Sequence, residues 1–219
     1  MCGRFTLHSN QPQLAEAIAL ALPEALEPDY NIGPGRTVLS IAQPAGEEPQ
    51  ASLMHWGLKT PQNFHINARL ETADTAPRFR ESWEQHRCLV PAKGFYEWYA
   101  DGITKQPYYL YPTDRELCLL AGLWYPATRE DEPATCLLLT TAANEAVQPV
   151  HARMPVILPP DARDAWLQNQ LSKRETQQLA HEVPLEKHTV SRRVNSVRNN
   201  DSRLIQATAP LEDGQLVLF

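Results

Sequence analysis

The sequence predicts an α+β domain with a largely antiparallel sheet. Three observations carry that expectation. Short apolar runs of strand length recur along the first three quarters of the chain, helical patterns are scattered among them without regular alternation, and 19 prolines lie between the runs as turn punctuation. A length of 219 residues fits one domain, read here as residues 1–208 with a loosely held tail at 209–219. Hydrophobic residues at 42% and charged residues at 21% suit a packed core and exclude a disordered or fibrous chain.

In chain order, a first strand is expected over 3–8, then a helix over 10–22, with Pro12 near its start, where a missing N–H costs nothing. Strands follow at 38–43, 51–56, 88–90, 94–99, 107–111, 117–125, 135–141 and 155–158, each an apolar run bounded by turn residues. Asp101-Gly102 is a hairpin signal, because glycine accepts the positive φ of a tight turn. Helices are expected over 75–86, 160–168 and 173–181. No apolar stretch approaches the roughly 20 residues of a membrane span, so no membrane partner is expected. Without an apolar run of signal-peptide length, a cytoplasmic location with reduced thiols is expected.

The four cysteines are Cys2, Cys88, Cys118 and Cys136, none at metal-knuckle spacing, so neither a metal nor another cofactor is called for. Cys88, Cys118 and Cys136 sit in apolar runs and read as small buried hydrophobes. Cys2 stands apart. If Met1 is removed, Cys2 presents an α-amine and a thiol on adjacent carbons, titrating near 7.7–8.0 and about 8.5 in ordinary surroundings. The amine can condense with an aldehyde, and the thiolate can close on the imine carbon to a five-membered thiazolidine. The same group can serve as the nucleophile of an amide hydrolase, or do nothing in a first strand.

Strand alternation places Phe95, Glu97 and Tyr99 on one face and Tyr96 and Trp98 on the other, so Glu97 is surrounded by aromatics whose desolvation raises a carboxyl pKa. His151 lies in a polar turn, where a histidine can act as a general acid. Asn67 and Arg69 share one strand face. The net charge, 20 Lys+Arg against 26 Asp+Glu, is −6, which argues against broad nonspecific duplex binding. Within 188–203, Arg192, Arg193, Arg198 and Arg203 face the single acid Asp201, a local phosphate-binding candidate. Trp56, next to Gly57, and Trp98 can offer stacking surface to bases, although a core is the commoner place for tryptophan.

Seven motifs in order along the chain, Met1-Cys2-Gly3-Arg4-Phe5, Tyr30-Asn31-Ile32-Gly33-Pro34-Gly35, Trp56-Gly57, Ile66-Asn67-Ala68-Arg69-Leu70-Glu71-Thr72, Gly94-Phe95-Tyr96-Glu97-Trp98, His151-Ala152-Arg153-Met154-Pro155 and Val190-Ser191-Arg192, resemble the SRAP family, named for SOS-response-associated peptidases. The resemblance implies a single α+β domain around a β-barrel-like core, a monomer that binds single-stranded DNA and captures abasic sites covalently through an N-terminal cysteine. By motif, Cys2 is the implied nucleophile, Asn67 positions the amine, Glu97 shuttles protons and His151 assists opening of the deoxyribose. Arg4, Arg69 and Arg153 are the implied phosphate contacts. Pro34, Trp56 and Gly57 shape the strand-binding groove, with Trp98, Ser191 and Arg192 along it. One position departs: the family often carries Asp directly after the histidine, where this chain has Ala152. The family name also points to peptidase chemistry, here read as self-processing at most. Two other classes stay open from the residues: an N-terminal nucleophile hydrolase and a noncatalytic single-strand binder.

Overall fold

The computed structural model describes residues 2–23, 26–100, 105–129 and 131–211. The first half of the chain forms β1 (Phe5–Leu7), α1 (Gln11–Ile18), β2 (Asp29–Ile32), β3 (Thr37–Ala42), β4 (Gln50–Trp56), β5 (Leu58–Lys59), β6 (Phe64–His65), β7 (Asn67–Arg69), α2 (Arg80–Gln85), β8 (Arg87–Ala92) and β9 (Gly94–Ala100). The second half adds β10 (Lys105–Pro112), β11 (Cys118–Tyr125), β12 (Thr135–Ala142), β13 (Arg153–Pro155), β14 (Ile157–Leu158), α3 (Arg163–Leu167), α4 (Lys173–Glu182) and β15 (Leu185–Thr189).

Two sheets hold nearly all the strands. A five-stranded antiparallel sheet has the order β15-β10-β9-β1-β2. The other, eight-stranded, runs β13-β12-β4-β3-β8-β11-β14, with β7 also paired to β12 and a further β12–β11 pairing that brings the order back on itself. It is mixed, because β12 runs parallel to β4 and β7. The expected α+β class therefore stands, while the barrel is replaced by a ring-like mixed sheet. Its β4–β12 join rests on two paired residues, His55 and Trp56 against Thr135 and Cys136.

The continuous apolar runs of β11 and β12 are buried along almost their whole length, as strands covered on both faces must be. Cys88, Cys118 and Cys136 are free, wholly buried thiols in this layer, as their apolar neighbours predict. Gly122 is required where β11 passes β12, since a Cβ there would sit 2.5 Å from the Leu137 carbonyl oxygen. Outside the ring, the Arg87 guanidinium lies between the Trp83 and Trp166 rings, 4.1 and 4.5 Å from their centroids, and donates to the carbonyls of Trp83 and Leu171. That buried cation ties α2 and the segment after α3 to β8.

Several boundaries differ from expectation. The first helix ends at Ile18, where Ala19 turns left-handed at φ 52°. Of the helix expected over 75–86 only 80–85 forms, consistent with Pro77, which removes a donor and biases Ala76 away from helical backbone. The segment 160–168 splits into a 3₁₀ turn and α3. By contrast α4 is sharply started by a capping box between Ser172 and Glu175. β15, Leu-Glu-Lys-His-Thr, carries no apolar alternation and is a strand because β10 offers it a free edge. Ala100 pairs with Lys105 across the expected hairpin. The Asp101-Gly102 turn itself and 212–219 of the expected tail lie outside the described residues. At the start of that tail, the Leu211 N–H donates to Gln106 Oε1 at 2.7 Å.

Candidate active site

The two sheets meet at the residues of interest. Cys2 precedes β1 and Glu97 lies on β9, both in the five-stranded sheet; Asn67 opens β7 and His151 comes two residues before β13, and both of those strands flank β12. Asn67 Nδ2 donates to the Cys2 carbonyl at 2.8 Å. Its Oδ1 is buried with no hydrogen-bond partner among the described residues. Such an orphaned group is costly unless a ligand or reacting group uses it.

Glu97 is only 2% exposed. Burial raises its pKa above the ordinary carboxylate value, and nearby His151 partly opposes the rise. The Cys2 thiol is wholly buried, and burial, assisted by the Glu97 charge, holds it protonated far above the usual thiol range. The ordinary thiol value expected from sequence is thereby corrected, because sequence does not show the desolvation. His151 Nδ1 accepts the Arg153 backbone N–H at 2.9 Å and lies 3.0 Å from the Arg153 carbonyl oxygen.

Glu97, Trp98, Ala100, Lys105, His151 and Asn195 line an open hollow of about 500 Å³. Trp98 Nε1 donates to Asn195 Oδ1 at 2.8 Å, and Ser191 caps the turn Arg192–Asn195 by accepting the Arg193 N–H. Sequence reasoning did not single out Lys105 or Asn195. Lys105 was detectable from the hairpin register that sets it opposite Ala100, beside the Glu97 strand. Asn31, in the quoted Tyr30–Gly35 motif, fastens the wall of the hollow: its Nδ2 donates to the carbonyls of Ser196 and Asn199 at 3.0 and 2.8 Å.

The arginines divide into two groups. Arg4 Nη1 donates to Asn31 Oδ1 at 2.7 Å and to the Val194 carbonyl at 2.9 Å, so it braces the same wall. Arg153 directs both terminal nitrogens at Glu71. Arg193 and Arg203 share Asp201, at 2.7 and 2.9 Å, which reduces the free charge expected of the 188–203 run. Arg69 is exposed and makes no hydrogen bond or ion pair among the described residues, and Arg198 is exposed as well. Trp56 corrects a further expectation: it is wholly buried, packs 5.1 Å from Phe5 and donates Nε1 to the Ile66 carbonyl, so it offers no face to a base. Gly57 has φ 129°, and a Cβ there would meet the Phe64 ring at 2.2 Å. Phe64, 49% exposed, thus covers that glycine, and Pro34 is half-buried in the turn after β2.

A family model described as SOS response associated peptidase (SRAP) matches residues 1–197. The abasic site processing protein YedK of Escherichia coli (strain K12) is 34% identical over 94% of this chain and 99% of its own length. The abasic site processing protein YoqW of Bacillus subtilis (strain 168) is also 34% identical, over 94% of this chain and 100% of its own. Similarity extends to the abasic site processing protein HMCES of Gallus gallus, 30% identical over 98% of this chain and 79% of that one. Among solved structures, a Bacteroides thetaiotaomicron protein superposes with TM-score 0.79 at 23% identity, covering 95% of this chain and 100% of that chain, which bears on the fold.

Proposed function

Because the chain belongs to the SOS response associated peptidase (SRAP) family, we propose that it recognises abasic sites in single-stranded DNA and captures them covalently through Cys2 once Cys2 is the first residue. The observation that carries this reading is the convergence on Cys2 of an amide that already holds its carbonyl and a desolvated carboxyl close enough to act on its thiol.

An abasic sugar is mainly a closed hemiacetal, and His151 as an acid at the ring oxygen promotes its opening to the aldehyde. The α-amine of Cys2, held by Asn67 Oδ1, attacks the aldehyde carbon. Glu97 takes a proton from the amine and returns one to the departing hydroxyl, which leaves as water. A thiol held protonated by burial makes the amine the first nucleophile. The iminium cation then lowers the thiol pKa from a neighbouring position, and sulfur adds to the same carbon. Aldehyde and aminothiol become thiazolidine and water, with no redox partner. Fast ring closure competes with loss of the proton on the adjacent sugar carbon, the route to strand cleavage. Arg69, Trp98, the Ser191–Arg192 turn and Pro34 are proposed to hold the strand near the hollow.

The test is the intact mass of protein lacking Met1 after incubation with an abasic single strand. An adduct lighter by one water than the sum of its parts, stable to heat and denaturant, is expected from wild type and not from Cys2→Ala. Cys2→Ser is expected to give at most an imine that borohydride must trap. A stable unreduced adduct from Cys2→Ala would sink the mechanism.

A further inference from the structure

The family model matches residues 1–197, so the segment from 208 onward lies outside what it describes. Its sequence is not that of a plain linker. After Leu211 come Glu212, Asp213 and Gly214, a charged stretch with a turn residue, and then Gln215, Leu216, Val217, Leu218 and Phe219, an amide followed by four apolar side chains in a row. Four such residues gain free energy when a surface covers them, and the amide at their head offers that surface both a donor and an acceptor. Among the described residues the exposed large apolar side chains are Phe64, Tyr99 and Val197, single residues on separate segments and not a groove. The root of the segment is fixed. Ala207 bridges to Val190, the Thr208 N–H donates to the Thr189 carbonyl at 2.9 Å, Thr189 Oγ1 donates to the Thr208 carbonyl at 2.6 Å, and the Leu211 N–H donates to buried Gln106. Gln106 follows Lys105, which lines the hollow, so the chain leaves the five-stranded sheet at the end of β10 where the hollow lies.

We infer that 215–219 is a docking segment whose leucines and phenylalanine enter an apolar cleft on a ring-shaped protein that encircles DNA, a replication clamp, and that it carries the Cys2 site to the single strand beside that ring. The purpose of the docking rests on the function proposed above; the docking itself does not. Charge selects a partner that is already on DNA. The chain carries a net −6, and Arg193 and Arg203 are taken up by Asp201, so electrostatics give the domain little hold on DNA at large. The strand itself selects a ring. A protein that coats single strands would occupy the strand the hollow must take, whereas a ring threaded by the duplex leaves it bare. Glu212 and Asp213 repel phosphates, which directs the segment to protein and away from DNA. The tether is short. From Leu211 to Gln215 the chain spans at most about 14 Å, so a ring seated on 215–219 holds the hollow close by, at an effective concentration of roughly millimolar order.

The probe is the purified sliding clamp of Escherichia coli, titrated with the full chain by calorimetry in the absence of DNA. Wild type is expected to bind at micromolar concentrations. The double variant Leu218→Ala, Phe219→Ala should bind at least roughly tenfold more weakly, since each truncation removes buried apolar area. Asp213→Ala, in the spacer, should bind like wild type, and the melting temperatures of wild type and double variant should coincide. On a primed single-stranded circle with one abasic site, loading the clamp should raise the initial crosslinking rate of wild type several-fold at limiting protein and that of the double variant not at all. Both should crosslink a free abasic oligonucleotide at equal rates. No wild-type binding at clamp concentrations on the order of 100 µM overturns the inference, as does equal binding by the double variant. A lower melting temperature in the double variant also overturns it, because the apolar residues would then be packed on their own domain. Clamp binding without faster capture on the loaded circle overturns the recruitment. If the clamp binds as expected and no abasic strand gives an adduct, the docking stands and the proposed function fails.

Discussion

The two sheets contribute unlike halves of the site. The five-stranded sheet supplies Cys2 and Glu97, both almost fully buried, whose protonation is governed by desolvation. The strands beside β12 supply Asn67 and His151, both half-exposed, whose orientation is governed by hydrogen bonds to backbone groups. One side therefore sets proton affinity and the other sets direction. Burial does not aim a group and a surface turn does not desolvate one, so a seam between two sheets provides both in a small space.

The comparison breaks most visibly at Glu97. Glu97→Gln keeps the side chain's size but cannot exchange protons, so crosslinking of abasic strands is expected to slow on the order of 100-fold and to lose most of its pH dependence. Initial crosslinking rates from pH 5 to 9 check this, and wild-type speed would remove Glu97 from the chemistry. His151→Ala acts at a different step. Capture from the closed sugar should fall roughly 10-fold or more, with much less effect on an open-chain aldehyde, and equal losses on both substrates would contradict the ring-opening role. Arg69→Ala should leave the rate at saturation nearly unchanged while weakening binding and lowering the log-log salt slope by about 0.7, measured by titration across salt concentrations.

The smallest effect concerns stability. The Glu97 pKa is raised on folding by burial, so the native state favours the protonated form; the folded protein loses stability as pH rises past the ordinary carboxyl range, where the unfolded chain ionises first. Glu97→Gln removes that loss. Its stability relative to wild type should therefore increase from pH 5 to pH 8 in denaturant titrations. A difference independent of pH would mean that desolvation does not govern this side of the seam.

The order of strands and the candidate residues that the structure brings together, Cys2, Asn67, Glu97 and His151, were legible because each is a local signal. Apolar runs bounded by turns marked β8 to β12, and the strand read over 94–99 is β9, which carries Glu97 in its buried part. What failed was non-local. β15 is a strand only because β10 has an open edge, and Trp56 fills the core rather than a groove because Phe5 and the Ile66 carbonyl enclose it. The arginines show the same division. A run of residues displays how many guanidiniums are present and how few acids lie beside them in sequence. It does not display that Glu71, 82 positions before Arg153, takes up one fork, or that Asn31 and the Val194 carbonyl, the latter 190 residues away, take up Arg4.

Residue type, spacing and order were enough for the α+β class and for membership of the family. The tertiary structure decided that the large sheet is mixed and ring-like, that the Cys2 thiol is held protonated, and which cations remain open to a strand. The reason is physical: proton affinity and the availability of a charge depend on solvent exclusion and on partners brought together from distant parts of the chain, and both exist only after the two sheets have closed on each other.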